Sequence, residues 1–593
     1  MNTISKLASI LGVSVLVALG AQVSHVQKAE ACGGFFCNQQ QPVDQSAERI
    51  IFSQNSDDTV TAAVQILYQG PSEEFAWLLP VSGTPEVGVS SNTAFQRLQD
   101  HTDPRYDLEV TVEGECAQPP DYDDGMNNGG AVDAAAGGGS DAGDPSVDVL
   151  DEGSVGPYDY TTISVEPGDA DPAQAALDWL ETNGYDLTEM GPDLIRDYLE
   201  DGMNLIAFKL TKNADSGDVR PVTLTYPAEL PMIPIKLTAV AAQSDMGVLV
   251  WVLGDGRAIP KNYKSLVLND AAINWFDWRS TYEDVITQAA NEANGQGFVT
   301  EYAKSATTLE EAVITDSEIQ YWEQVNDPDA WDGQHGAMLF DVMRTFGLWD
   351  GFRSVVADAI PVPDGATVDD FMNCPDCYFD GNEASIDGFS PSVFLQAMQT
   401  EVIDPVIDTQ DLLESRPYVT RMYTTLSPPE MTLDPVFDFN TTLDDVSNTH
   451  TAQQTIHCSS DVTRWEAPWQ VELPSGEVVN GSGRSWPLSA GDELPASREI
   501  RQENASGSGE TVTDHTADIE AILAAHNDET PISGDSSGDG NNGSGSNNGS
   551  SAGSNSDGDS GGGCTAAGGT TPLDAGGLLV VGLGLMVWRR RRD

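Results

Sequence analysis

Cysteine, histidine and a few isolated carboxylates are the side chains through which this chain could do chemistry. Two cysteine pairs stand out by spacing. Cys32 and Cys37 flank Gly-Gly-Phe-Phe in "CGGFFC", and Cys374 and Cys377 flank Pro-Asp in "NCPDCYFDGN". A redox dithiol needs its Cys-x-x-Cys at the start of a helix that follows a strand, where the thiolate is stabilised. The surroundings here are Asn, Asp and Gly instead. A zinc site built from Cys374, Cys377, His457 and Cys458 has suitable ligand types, but only one half is a knuckle and the halves are far apart in the chain. Structural disulfides are the expectation, with Cys32, Cys37, Cys116, Cys374, Cys377 and Cys458 as candidates. The pairing expected is Cys32 or Cys37 with Cys116, and Cys374 with Cys377 or one of these two with Cys458. Sequence does not choose among the connectivities.

The histidines offer less. His101, His335, His450, His457, His515 and His526 are scattered without the i, i+4 spacing of a helical metal pair. No Ser-centred nucleophile elbow, His-Glu-x-x-His helix, phosphate loop or dinucleotide fingerprint occurs. Glu301 is a lone acid between Thr300 and Tyr302 after an apolar run. It reads as a strand-end carboxylate accepting backbone hydrogen bonds. Asp327, Asp329, Asp332 and Gly333 in "NDPDAWDG" approach a calcium loop, but one residue is inserted and no glutamate follows at the twelfth position. "YFDGNEASIDG" (378–388) is similar and equally imperfect. Trp275, Phe276 and Trp278 in "INWFDW" could form a sugar or peptide platform, although a core cluster is the plainer reading. No residue is assigned as catalytic or as a metal ligand, and no cofactor is expected beyond the option of one structural Ca²⁺.

Whether cysteines pair depends on compartment, and both chain ends bear on that. Residues 1–31 read as a secretory signal, with Lys6, an apolar stretch over 7–19 and Ala29-Glu30-Ala31 as a small-x-small cleavage site. Disulfides are then the default for the remaining cysteines. At the other end, 528–563 is a Gly/Ser/Asn/Asp linker of flexible-coil composition. Cys564 follows, then an apolar stretch over 573–588 and Arg589, Arg590, Arg591 and Arg592. A helix over 573–588 would be ~24 Å long, short for a hydrocarbon core of ~30 Å. The arginines would hold its end on the cytoplasmic side. Stalk, lone cysteine, short helix and arginine cluster together resemble the MYXO-CTERM class of bacterial sorting signals. That resemblance implies a sorting protease as partner, membrane attachment at least for a time, and display at the cell surface.

The chain has 593 residues, with 94 acidic against 27 basic and a net charge of −67. Such a field repels nucleic acid and anionic lipid, so both are excluded as partners. The acids are spread along the whole chain, which fits solubility in a salty medium better than a dedicated cation site.

The elements that must position these groups are mixed. Residues 48–113 read as strands with a helix at about 90–101. A disordered insert is expected at 117–147. Strand composition returns at 158–168. Asp171 then caps a helix over 171–185, with Pro172 at its first position and Asn183-Gly184 as its stop. Strands are expected at 204–212, at 221–240 as an edge or bent strand because of Pro227, Pro231 and Pro234, and at 246–259. A helix ends at Gly295. Residues 308–425 read as mostly helical, 465–500 as strands, and 515–527 as a closing helix. Strands in blocks rather than in strict alternation with helices imply an α+β fold. The organisation expected is 1–31 signal, 32–116 β-rich, 117–147 insert, 148–307 α+β, 308–527 helical then β, 528–563 linker and 564–593 tail.

The stretches "CGGFFC…PVDQSAERIIF…VQILYQG…FAWLLPV", "LDWLETNGYDL", "ELPMIPIKLTAV…MGVLVWVLGDGRAIPKNY", "ANGQGFVTEYA" and "YTTLSPPEMTLDPVFDFN" resemble, in order, the DUF2330 family of exported bacterial proteins. The resemblance runs over roughly 32–525. It implies export and a fold, and no activity. The function expected is therefore a surface-displayed, non-catalytic role in envelope interaction or assembly. The alternatives are a surface hydrolase on peptide or glycan using acidic residues, and a calcium-stabilised adhesin. Convergence of Glu301, His335, Asp327 and His457 in one concave pocket would favour the hydrolase.

Overall fold

The computed structural model describes residues 44–532, apart from 70–75, 118–146, 166–170, 186–191, 211–218, 361–364 and the single residues 241, 379 and 492. The expected leader (1–31), Cys32, Cys37, nearly all of the expected insert and linker, Cys564, the 573–588 stretch and Arg589 to Arg592 lie outside the described residues. Among the described residues no helix is long and apolar enough to cross a membrane.

In chain order the strands begin with β1 (Asp44–Gln54), β2 (Thr59–Gln69), β3 (Ala76–Val81) and β4 (Glu86–Val89). Helix α1 (Asn92–Thr102) leads into β5 (Arg105–Glu113). The hairpin β6 (Asp148–Val155) and β7 (Tyr158–Ser164) precedes helices α2 (Pro172–Thr182) and α3 (Pro192–Glu200). Next come β8 (Asn204–Leu210), β9 (Val222–Pro227), β10 (Ala242–Gly254), β11 (Arg257–Pro260) and β12 (Lys264–Leu268). Helix α4 (Tyr282–Glu292) feeds β13 (Gly297–Ser305). A helical run follows: α5 (Asp316–Val325), α6 (His335–Phe346), α7 (Phe352–Ala359), α8 (Val368–Asn373), α9 (Pro391–Met398) and α10 (Asp404–Glu414). The chain returns to strands with β14 (Tyr418–Leu426), β15 (Phe437–Asn440), β16 (Thr449–His457), β17 (Pro468–Glu472), β18 (Val478–Ser482), β19 (Ser497–Gln502) and β20 (Glu510–Asp514). Helix α11 (Thr516–Glu529) closes the described part. The fold is α+β, as the blocks in the sequence imply.

Ten strands form the central sheet in the order β20-β19-β12-β13-β14-β10-β1-β2-β9-β4. β1 and β10 run parallel at its middle, and both faces there are covered. Alternation along the strand divides their side chains between two cores. Ile51, Leu249, Trp251 and Leu253 join the helices of 316–414 on one side. Ile50, Phe52, Val248, Val250 and Val252 join Trp77 and Phe208 on the other, where β3-β8-β7-β6 forms a second sheet. Helices α2 and α3 cover the far face of that second sheet through Leu180, Ile195 and Leu205. At the opposite end of the long sheet, α4 and the sheet β18-β17-β16-β5 enclose a further core around Trp275, Ile286 and Trp469.

Local signals act as the sequence suggests in several places. The Asp171 carboxylate accepts from the Gln174 N–H, Pro172 takes the first position of α2, and Gly184 follows at φ +77°. Gly295 takes φ +72° just after α4, a conformation that costs glycine nothing. Other expectations are corrected. The run 221–240 is not one bent strand: β9 stops at Pro227, and 235–238 make a single helical turn, because a proline-studded chain cannot supply ladder donors. The helical reading of 308–425 fails at its end. β14 is a strand lying between β10 and β13 in the long sheet.

Cys116 pairs with Cys458, not with Cys32 or Cys37. β5 and β16 are parallel neighbours with Glu113 opposite His457, so the two cysteines leave the ends of adjacent strands side by side, with Cα atoms 4.7 Å apart. Cys374 pairs with Cys377 across a short 3-10 turn. Both pairings remove sulfurs from the zinc arrangement considered above. The "INWFDW" aromatics form core rather than a platform. Trp275 is buried and donates its indole N–H to the Asp270 carbonyl, and Phe276 packs edge-on against Trp469 and Trp486.

Candidate functional site

Glu301 is not a strand-end residue. It sits within β13 at a bulge, where Thr300 faces Met422, Tyr302 faces Arg421, and Glu301 is the extra residue between them. A bulge turns one side chain out of the pleat's alternation and is a common way to aim a functional group. The carboxylate so aimed is buried and grips two donors. Oε1 accepts from the Tyr282 hydroxyl at 2.7 Å, and Oε2 accepts from Arg421 Nε at 2.7 Å. Arg421 continues the network, with Nη2 2.8 Å from Asp103 Oδ1 and Nη1 donating to Thr102 Oγ1 at 3.1 Å. Thr102 Oγ1 in turn accepts from the Trp251 indole at 3.0 Å. Four separate elements, α1, α4, β13 and β14, meet at this carboxylate.

The electrostatics follow from burial. Desolvation pushes the Glu301 carboxyl up, opposed by the Arg421 charge and the Tyr282 and Arg421 hydrogen bonds, and the net direction is upward. Burial alone would lower the Arg421 pKa, but the Glu301 and Asp103 charges outweigh it and the guanidinium is held charged. The nearby Tyr282 hydroxyl is pushed well up by burial and by the adjacent Glu301 charge.

Two cavities meet at this network, and Tyr282 and Glu301 line both. The larger, of about 760 Å³, lies over β12 and β13. One end holds Tyr106, His450, Asp270 and Arg498, and the other Arg257, Arg501, Glu503 and the 507–508 turn. Tyr106 and His450 stack with ring centres 4.5 Å apart, and burial pushes the imidazole pKa down, towards the neutral form. Asp270 is pushed up, first by burial. Arg498 stands at a second bulge, between the residues that face Val267 and Leu268, and pairs with Glu477. The smaller cavity, of about 280 Å³, includes Glu48, Arg49, Asp103 and Arg421.

The residues whose convergence with Glu301 would favour the hydrolase alternative do not converge with it. His335 accepts from the Ile386 N–H through Nδ1, Asp327 caps a 3-10 turn by accepting from the Asp329 N–H, and His457 stands 3.3 Å from Glu113 at the end of β16. None of the three lines either cavity. In the calcium-like stretches Asp327 and Asp380 accept hydrogen bonds from their own turns: Asp380 Oδ1 accepts from both the backbone and the side-chain amide of Asn382. Among the described residues one cluster has metal-ligand composition, Cys374, Asp376 and Cys377, and the disulfide occupies both of its sulfurs.

One trio has the composition of a catalytic triad, namely Ser497, His515 and Glu292. Its geometry does not serve. The Ser497 hydroxyl donates to Glu292, while His515 Nδ1 faces Ser497 Oγ at 3.4 Å, the Ser497 carbonyl at 2.9 Å and Glu292 at 3.9 Å. A triad histidine uses one nitrogen for the nucleophile and the other for the carboxylate. Here one nitrogen faces all of them, and Ser497 is fully buried. The trio joins β19, α4 and the start of α11.

Sequence reasoning singles out Glu301, sets His450 aside with the other scattered histidines, and misses Tyr282, Arg421, Arg257, Arg501 and Glu503. Arg421 carried a signal that went unused: a lone arginine in the β-type run "YVTRMYTTL" of a strongly acidic chain.

Residues 26–319 match the model of the DUF2330 family, described as an uncharacterized protein conserved in bacteria. The resemblance read from the motifs extends to 525, but this match stops short of "YTTLSPPEMTLDPVFDFN". No curated protein and no solved structure matches the chain.

Proposed function

We propose that this chain is an exported, non-catalytic envelope protein whose ectodomain binds a small polar ligand in the larger cavity. The leader-like start, the Arg589 to Arg592 tail with Cys564, and the two disulfides support export and surface display. The observation that carries the binding reading is the state of Glu301. Both carboxylate oxygens are held by Tyr282 and Arg421. One donor on each oxygen pins the carboxylate in place. A carboxylate fixed in this way rigidifies a polar wall, and rigid polar walls orient ligands.

The test is a thermal-shift screen of the purified full chain against soluble envelope fragments: sugars, short peptides and their conjugates. Val267 lines the cavity and is 39% exposed, so Val267→Trp fills the mouth without disturbing a core. At least one class should raise the melting temperature of the wild type and leave Val267→Trp unmoved. A screen in which nothing shifts the wild type, or in which the variant responds equally, overturns the reading. So does release of a cleaved product that disappears in Glu301→Gln, which is what the hydrolase alternative predicts. Export is tested separately, by mass spectrometry of protein recovered from the envelope, which reads both termini.

A further inference from the structure

Arg257 is a cation inside a chain of net charge −67, with the Glu503 and Asp444 charges acting on it. It lies on β11 at the end of the larger cavity and makes no ion pair among the described residues. Its Nη1 donates to the Asp444 carbonyl at 3.2 Å, and its Nε is buried without a hydrogen-bond partner. Arg501 lines the same end. Its Nε stands 3.3 Å from Glu503 Oε1 but outside hydrogen-bond geometry, and its Nη1 lies 3.6 Å from Glu499. Glu503 is 8% exposed, and its Oε2 is buried with no hydrogen-bond partner. Buried polar atoms left unpaired cost free energy, and a bound ligand is one way to supply their missing partners.

The rim around these groups is fixed. Asn440 is fully buried and holds two loops together. Its amide donates to the carbonyls of Asn504 and Gly507, and its oxygen accepts from the N–H and hydroxyl of Thr442. The Gly507 N–H donates to Thr442 Oγ1 at 3.1 Å, closing the corner. The end of the cavity is therefore a built recess, with two neighbouring guanidiniums and one unpaired carboxylate oxygen.

Resting on the binding function above, we propose that this recess takes a small carboxylic acid bearing a hydrogen-bond donor beside its carboxylate, an amino acid or hydroxy acid in chemical class. Arg257 and Arg501 receive the carboxylate, for which the planar guanidinium fork is shaped. The free oxygen of Glu503 accepts from the adjacent ammonium or hydroxyl. Glu503 also selects against phosphate, because a dianion placed between the arginines would lie against a carboxylate.

Isothermal titration of the purified full chain tests this with L-alanine, acetate, ethylammonium and inorganic phosphate. Alanine should bind, and acetate and ethylammonium should each bind roughly tenfold or more weakly, since each lacks one charge-assisted contact. Arg257→Ala should weaken alanine binding by roughly ten- to a hundredfold, with partial recovery in Arg257→Lys. Glu503→Gln should weaken alanine and leave acetate unchanged or tighter. If the variants misfold, the wild type still decides: alanine should protect Arg257 and Arg501 from phenylglyoxal while exposed Arg344 is labelled. Phosphate binding as tightly as alanine, or no protection of the two arginines, overturns the proposal. A ligand that is sensitive to Val267→Trp but carries no carboxylate overturns it too, while leaving the cavity-binding function standing.

Discussion

At the scale of single residues, the molecule commits charges to its interior at only a few points. The Glu301–Arg421 pair is one. Buried pairs of this kind are poor evidence of net stability, because desolvation offsets most of the attraction; what this pair does is fix β13, β14, α1 and α4 around one carboxylate. Glu48 is a different case. It is buried, its Oε2 has no hydrogen-bond partner, and burial pushes its carboxyl from 4.5 up to about 7. Between those values the folded chain keeps a proton that the unfolded chain has lost. Stability therefore falls as pH rises through that window, by roughly 3 kcal/mol from this group. Urea unfolding of wild type and Glu48→Gln at pH 5 and pH 8 isolates the effect. The wild type should lose about 2.5 kcal/mol relative to the variant on going to pH 8, since pH 5 already lies inside the window. A difference that stays constant with pH would show that Glu48 is not held protonated. Glu301 was visible in the sequence as an acid following an apolar run. Its partner Arg421 lies 120 residues away, and no local pattern links the two.

At the scale of elements, caps and stops were legible and pairings were not. α2 could be read from Asp171, Pro172 and Asn183-Gly184 because its boundary chemistry is local. β14 was absorbed into the preceding helices, since its buried neighbours β10 and β13 come from distant parts of the chain. The cysteines show the same division. Cys374–Cys377 spans a sequence separation of 3, and Cys116–Cys458 spans 342. A cross-link that closes a longer loop removes more unfolded-state entropy. Replacing Cys116 and Cys458 by serine should cost about 2–5 kcal/mol, and the same change at Cys374 and Cys377 about 2 kcal/mol or less. Denaturant midpoints of the two double variants in the absence of reductant give the comparison. An equal loss, or a larger one at Cys374 and Cys377, would mean that the long-range bridge does not staple β5 to β16.

At the scale of the whole molecule, charge is the dominant property. A net charge of −67 repels itself in the folded state more than in the expanded one. Raising ionic strength from 0.1 M to 1 M shortens the screening length from roughly 10 Å to about 3 Å. The melting temperature in NaCl should therefore rise across that range. A flat or falling curve would mean that the carboxylates are already compensated locally and that the acidic composition is no adaptation to salt. At the same scale, the family match covers only part of each sheet. Residues 26–319 supply β1, β10 and β13. β14 lies between β10 and β13, and β16 pairs with β5, so strands beyond the match complete the same sheets.

By itself the sequence determined whatever depends on neighbours along the chain: the α+β blocks, the capped helices, the acidic field, and the cysteines available for pairing. Tertiary structure alone decided which cysteines met, that β14 is a central strand, and that Glu301 grips Arg421 and Tyr282 where two cavities meet. The physical reason is that a cap or a turn is settled by contacts within a few residues. A cavity is enclosed by side chains from strands and loops far apart in the chain, and only the register of the folded sheets brings them to the same place.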